Sequence, residues 1–271
     1  MPEGVEVTLN VEEINSLFSG EIIRAVQLHS SGRYASKEPS NYQKFASAVR
    51  AGYVMEQARV KGKFTWWTFK KDLDPDWYMM CTYGMSGRWT TRPTAGHAVM
   101  SIISDELTTT FIDQRRFGTL SFTSSEEELQ AKLKSIGPDM LNNPPENDEF
   151  IERMMFKSNR TIAEALLDQS CISGVGNYLK CESLYAAKIS PHRAVSSLTH
   201  EDLHSLRSAI IMMMNLSYDL GGAYSVGRHG TSLISDRFSV YNQTKDPHGY
   251  PVEKDATADG RITYWCPKYQ K

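Results

Sequence analysis

The chain has no paired cysteines, no long apolar run and no surplus of positive charge, and each absence closes a class of explanation. Its four cysteines, Cys81, Cys171, Cys181 and Cys266, are widely separated and form no CxxC pair. That spacing argues against both a disulfide framework and a thiolate zinc site, so they read as reduced thiols. No run of 18 apolar residues occurs, and no basic start leads into a hydrophobic stretch. Neither a transmembrane helix nor a secretion signal is therefore expected, which places the chain inside the cell rather than outside it. A net charge of -2 and a pI near 6.4 provide no global field for a polyanion, so any nucleic acid would have to meet a local basic face. Internal repeats and low-complexity tracts are also missing.

What is present is enough for about two soluble domains: 271 residues, of which 40% are hydrophobic. Val7, Val11, Ile14 and Phe18 recur at helical spacing before Gly20, so residues 3 to 19 read as one amphipathic helix. From Glu21 to about Thr123 the pattern turns strand-like, with runs such as EIIRAVQLH, KFTWWTF, DWYMMCTYG, AVMSIIS and TTTFID between turn residues. Five or more strands after one helix predict a sandwich or barrel. Ser125 and Glu128 form a capping-box pair for a short helix that ends near Gly137-Pro138, and Asn142-Asn143-Pro144-Pro145 reads as a linker. Helices follow at about 148 to 157, 160 to 169, 177 to 188 and 199 to 218, the last opened by Thr199 with Asp202. Gly221-Gly222 ends that bundle, and a polar loop leads to a β-type tail over 238 to 266.

Two stretches carry chemistry. If Met1 is removed, Pro2 presents a free secondary amine, with Glu3 and Glu6 within a helical turn of it. A secondary amine that attacks an aldehyde-like carbon gives an iminium with no N–H to lose, which stays cationic and acts as an electron sink; a nearby carboxylate can shuttle the proton. Proline and glutamate are also ordinary residues at a helix start, so these six residues alone leave the matter open. The second stretch is SCISGVGN, residues 170 to 177. Gly174 and Gly176 allow close approach of the backbone to a ligand, free amides at the next helix start favour an anion such as phosphate, and Asn177 can donate to the same group. A plain helix-to-helix turn explains the glycines equally well.

PEGVE at the start, KGK at 61 to 63, GMSG at 84 to 87, DQRRFG at 113 to 118 and GVGN at 174 to 177 stand in the order of one family. The chain resembles the formamidopyrimidine-DNA glycosylases and the endonuclease VIII-like DNA glycosylases from residue 2 to its end. The resemblance implies an α+β multidomain fold: an N-terminal β-sandwich with flanking helices, a helix–two-turn–helix domain and a C-terminal β-hairpin finger, with DNA in the cleft between domains. The corresponding borders are 1-128 for the catalytic sandwich, 129-147 for a linker, 148-235 for the DNA-binding helices and 236-271 for the finger.

It also implies roles. Pro2 would attack the deoxyribose C1′, Glu3 would act as general acid and base, Glu6 would support the catalytic turn, and Lys63 would hold a phosphate near the reacting sugar. Met85, Arg115 and Phe117 would enter the duplex as the damaged nucleotide leaves it, which offsets the few kcal/mol that extrusion costs, about what a base stack is worth. Core packing for Met85 and Phe117, and a surface ion pair for Arg115, are the plain alternatives. Family members with a zinc finger have four cysteines where this tail has only Cys266. The tail resembles a zincless finger, with strands near 238 to 243 and 261 to 266 and with Arg261 as its phosphate-binding arginine. Val5 and Thr82 depart from the family's usual proline and histidine without removing a catalytic group.

The implied activity is that of a base-excision-repair glycosylase with β,δ-elimination lyase activity on oxidised pyrimidines and hydantoins, needing no cofactor and no metal. A preference for 8-oxoguanine and formamidopyrimidines is the alternative, along with a catalytically silent DNA-binding relative and an RNA-binding helical module. The expected partner is damaged double-stranded DNA, with single-stranded DNA as a second form. A monomer acting at DNA is expected, with the base pocket shaped by a loop at about 221 to 237.

Overall fold

The computed structural model describes residues 1–29, 33–93, 96–223 and 238–271. They divide into two compact units, one comprising Met1–Pro2 and Val7–Ser135, the other Glu3–Glu6 and Ile136–Lys271.

In the first unit two four-stranded antiparallel sheets carry the core. Strands β1 (Ile23–Leu28), β5 (Arg88–Thr90), β6 (Ala98–Ser104) and β7 (Thr108–Ile112) form one sheet in the order β1-β6-β7-β5. Strands β2 (Val54–Lys61), β3 (Phe64–Lys70), β4 (Trp77–Thr82) and β8 (Thr119–Thr123) form the other, in the order β2-β3-β4-β8. Trp67 and Phe69 of one sheet and Trp89, Met100 and Phe111 of the other share a single apolar cluster with Val11, Ile14 and Phe18 of helix α1 (Gly4–Phe18). The expected sandwich is thus present, and the helical stripe read from the first residues is its cover. Strand β3 is buried on both faces because the outer one is covered too: Lys132 of helix α3 (Glu126–Lys134) lies over the Phe64 ring, and Lys61 Nζ donates to the Leu133 carbonyl. Ser125 accepts the Glu128 N–H as expected, but its own N–H goes to Thr123, so the cap is one-sided rather than a reciprocal box.

One segment of the strand-like region is a helix, α2 (Tyr42–Arg50). The signal is in the sequence: Tyr42, Phe45, Ala46 and Val49 repeat at i, i+3, i+4 and i+7, and all four are buried. Phe45 stacks on Phe122 with centroids 4.6 Å apart, a contact that seats the helix on the sheet.

The second unit is helical: α4 (Asn147–Met155), α5 (Ile162–Leu167), α6 (Asn177–Ala186) and α7 (His200–Asp219), followed by a hairpin of β9 (Glu253–Ala256) and β10 (Ile262–Trp265). The Thr199–Asp202 capping box is complete, and Thr161 with Glu164 forms a second. Residues 238–243, expected as a strand, are not one. The consecutive N–H groups of Ser239, Val240 and Tyr241 all donate to the Glu182 carboxylate at 2.8–3.0 Å. Successive amides of a strand point to opposite sides, so this convergence requires a turn-like nest instead. The first strand of the finger is Glu253–Ala256, whose alternating charge hides it from a hydrophobicity reading. Among the described residues no helix is long and apolar enough to cross a membrane.

Candidate catalytic turn and DNA-facing residues

Helix α1 begins immediately after Glu3, and its first turn is fixed by side chains that the sequence places three residues apart. Glu6 Oε2 accepts the Glu3 N–H at 2.8 Å, the back-reaching half of a capping box. That N–H belongs to the peptide bond joining Pro2 to Glu3, so Glu6 sets the plane of the unit that carries the proline. Glu6 Oε1 accepts from the Tyr178 hydroxyl at 3.1 Å and from the Ala223 N–H at 2.8 Å. Glu3 and Glu6 are both 1% exposed.

The Glu3 carboxylate lies at the start of α6. Its Oε2 accepts the N–H groups of Gly176 at 2.7 Å and Leu179 at 3.3 Å, and its Oε1 accepts that of Tyr178 at 2.9 Å. This corrects the expectation that these amides are free for a phosphate. The helix start does bind an anion, but the anion is the protein's own glutamate. The glycines follow from that seat. A Cβ on Gly176 would lie 2.2 Å from the Glu3 carboxyl carbon, and one on Gly4 would lie 2.8 Å from the Gly174 Cα. Gly4 donates its N–H to the Gly174 carbonyl at 2.8 Å, and Gly174 has a φ of 97° that suits glycine alone. The glycines do mark a close backbone approach, but what approaches is the first turn of α1 where a ligand was expected.

Asn177 and Arg261 are brought together in this unit. Asn177 Nδ2 donates to the carbonyl of Ile262 at 2.9 Å, so the amide expected on phosphate ties α6 to the strand that follows Arg261. The Arg261 N–H donates to Asp259 Oδ1 at 2.7 Å, while Asp259 Oδ2 accepts from Lys180 Nζ at 2.7 Å. The Lys180 and Asp259 side chains are 0% and 4% exposed. Lys180 also donates to Thr263, whose hydroxyl pairs with Thr257. A buried ion pair and two threonine hydroxyls join the hairpin to α6. Cys266 and Cys181 are buried thiols in the apolar cluster beneath, and burial pushes Cys181 up to about 12. Among the described residues no group of His, Cys, Asp and Glu is arranged to hold a metal ion.

In the first unit the GMSG and DQRRFG motifs form two adjoining turns. Asp113 is the clasp: its carboxylate accepts from the Ser86 hydroxyl at 2.5 Å and from the N–H groups of Gly118 at 2.7 Å and Arg115 at 3.2 Å. Gly84 has a φ of 60° and packs so tightly on Phe117 and Gly118 that a Cβ would meet backbone at 2.7 Å. The clasp sets the turn that contains Met85 against the one that carries Arg115 and Phe117. Met85 is half-buried, Arg115 is exposed, and Phe117 is 53% exposed with the Arg115 guanidinium 5.2 Å above its ring. Phe117 is therefore not a core residue, and Arg115 stacks on it. Lys63 lies in the two-residue turn between β2 and β3, beside Gly62 at φ 60°.

The motifs match known proteins over most of the chain. Residues 1–120 match the formamidopyrimidine-DNA glycosylase N-terminal domain, and residues 136–226 match the formamidopyrimidine-DNA glycosylase H2TH domain. The formamidopyrimidine-DNA glycosylase of Zymomonas mobilis is 30% identical over 209 residues, 73% of this chain and 76% of that protein. The chain belongs to the formamidopyrimidine-DNA glycosylase family. The Cytobacillus firmus member is 27% identical with both chains covered in full. Among solved structures, the wild-type Lactococcus lactis enzyme in complex with DNA containing an oxidised pyrimidine has the same fold, with a TM-score of 0.86 over the whole of both chains at 24% identity.

Three residues of this family member that sequence reasoning missed are Tyr178, Asp113 and Asp259. Asp113 was quoted only as part of a motif, and its role as clasp shows only when the two turns are seen together. Tyr178 follows GVGN directly, but a tyrosine early in a helix gives no signal of its own. The loop expected to shape a base pocket lies, from residue 224 to 237, outside the described residues.

Proposed function

We propose that this chain is a bifunctional DNA glycosylase and abasic-site lyase of the endonuclease VIII-like kind, acting through Pro2. The observation that carries the reading is the construction of the first turn. Two buried carboxylates are held by backbone and tyrosine donors next to a residue whose nitrogen, once Met1 is gone, is a secondary amine. Holding two carboxylates out of water costs several kcal/mol unless donors offset it, and mere duplex binding needs neither.

In this reading the Pro2 nitrogen attacks C1′ of the damaged nucleotide. The glycosidic bond breaks, and its electron pair leaves with the base, which takes up a proton. The amine loses its proton on attack, and opening of the sugar ring leaves an iminium with Glu3 moving protons. Loss of a C2′ proton then expels the 3′ phosphate, and a second elimination expels the 5′ phosphate. Water finally hydrolyses the iminium and frees Pro2. Lys63, Asn177 and Arg261 supply phosphate contacts, and Met85, Arg115 and Phe117 fill the space left by the base; residues 1-128, 148-235 and 236-271 serve as catalytic domain, DNA-binding helices and finger. Oxidised pyrimidines and hydantoins are the proposed substrates, supported by PEG at the start and the hairpin without zinc ligands. The formamidopyrimidine name shared by its relatives favours a second reading, with 8-oxoguanine and formamidopyrimidines preferred.

Borohydride trapping of Met1-processed protein tests both readings. Duplexes carrying thymine glycol, a hydantoin, 8-oxoguanine or an abasic site should each be offered. A covalent adduct chiefly on the first two supports the main reading, and one chiefly on 8-oxoguanine supports the second. Pro2→Gly should lose trapping and cutting while duplex affinity stays within about threefold. No wild-type adduct on the abasic site would remove the lyase reading. A salt titration with a log-log slope of about -4 to -5 is expected for about four to six phosphate contacts, and a slope near zero would count against DNA binding.

A further inference from the structure

We propose that Tyr178 is a positioning residue for Pro2, acting through Glu6; the inference rests on the Pro2 chemistry above. Tyr178 is 2% exposed, and its hydroxyl reaches the peptide that carries the proline through the Glu6 carboxylate. Its backbone N–H donates to Glu3 Oε1 at 2.9 Å, while its hydroxyl donates to Glu6 Oε1 at 3.1 Å. One residue thus grips both carboxylates of the turn, by main chain and by side chain separately.

One assignment of donors satisfies this network. A carboxylate accepts and does not donate, so the single phenolic hydrogen points to Glu6. The Ser217 hydroxyl, 3.0 Å from the phenol oxygen, must then donate to it. Burial and the nearby charges of Glu6 and Glu3 push the phenol well above its usual range, so it stays a donor throughout the working pH. Glu6 in turn passes this orientation on: its other oxygen fixes the Glu3 N–H, and with it the plane of the Pro2–Glu3 peptide. Rotation of that plane swings the proline nitrogen away from any carbon it is to attack, and small displacements of a nucleophile are costly. Ala223 donates its N–H to the same Glu6 oxygen at 2.8 Å. The phenol and the Ala223 amide therefore hold one acceptor jointly.

The two functions of Tyr178 can be separated, because Tyr178→Phe removes the hydroxyl but keeps the amide on Glu3 and the ring packed against Phe238 and Tyr241. Single-turnover borohydride trapping on an abasic duplex, with Met1-processed full-length protein at saturating DNA, is the measurement. We expect Tyr178→Phe to slow trapping about tenfold, the worth of one hydrogen bond to a charged group, with duplex affinity unchanged. Ser217→Ala, which only frees the phenol rotor, should slow it about twofold to threefold. In a Glu6→Gln background both losses should shrink towards nothing, since the path through Glu6 is already weakened. Losses of the same size in that background would overturn the proposal, because they would show Tyr178 acting through general packing. So would wild-type trapping rates in both variants. Ser217→Ala keeps the coupling readable should Tyr178→Phe fold poorly. Absence of trapping in the wild type would instead overturn the Pro2 reading itself, and this inference with it.

Discussion

In the turns at 83–87 and 113–118 the backbone is clasped and Arg115 and Phe117 are left exposed, whereas at the start of α6 three backbone donors go to a buried carboxylate. Asp113 accepts three hydrogen bonds so that Arg115 and Phe117 can stand clear of the surface. Gly176, Tyr178 and Leu179 give their N–H groups so that Glu3 can be held out of water. A side chain that must enter another molecule needs a rigid base and a free tip. A group that must keep one position out of water needs a closed shell of donors. The two regions should therefore fail differently when altered: the first in handling a stacked base, the second in stability and in every step that uses Pro2.

The largest stability effect is expected where the second region ties down the finger. Asp259→Ala would leave Lys180 buried without its partner, and about 3–5 kcal/mol of stability should be lost in a denaturant titration. Replacing both residues by apolar ones of similar volume should cost far less. If Asp259→Ala proves neutral, the hairpin is not held by this pair. Gly176→Ala comes next. Its Cβ has no room beside the Glu3 carboxylate, so the carboxylate or the α6 start must move. Trapping should fall by about a hundredfold on damaged and abasic duplexes alike, since a shift of about 1 Å at the reacting groups is enough for that. Unchanged rates would mean that the seat of Glu3 is not needed for the chemistry.

Much of this contrast was legible in the sequence, though unevenly. The helix stripe of Val7, Val11, Ile14 and Phe18, the long strands and the Thr199 cap were all visible because burial imposes a period and a cap imposes a residue type. Helix α2 was hidden by its neighbours, being nine residues inside a region rich in β-branched runs. The 238–243 error has a different origin. FSVYN is a plausible strand by composition, and only the buried Glu182, 57 residues away from Ser239, bends it into a nest. The same limit applies at the functional residues. The glycines at 174 and 176 announced a close approach, but the approaching group lies some 170 positions earlier in the chain, as the Glu3 bonds to Gly176 and Tyr178 show. Sequence patterns report local constraint well, and they do not name the distant partner that imposes it.

The smallest expected effect tests the exposed side of the comparison. Phe117 is half in solvent and packs on a guanidinium rather than in the core, so Phe117→Ala should leave the melting transition nearly unchanged, within about 0.5 kcal/mol. Under the proposed function its loss should be felt only when a base has to leave the stack, because the ring would then replace stacking worth about 1–3 kcal/mol. Excision of a damaged base from duplex DNA should slow about tenfold, while trapping on an abasic site, where no base is extruded, should change little. Gly176→Ala slows both reactions together, and Phe117→Ala separates them. Equal slowing of the two reactions by Phe117→Ala would mean that the exposed ring supports the Pro2 chemistry directly, and the division of labour between the two regions would have to be redrawn.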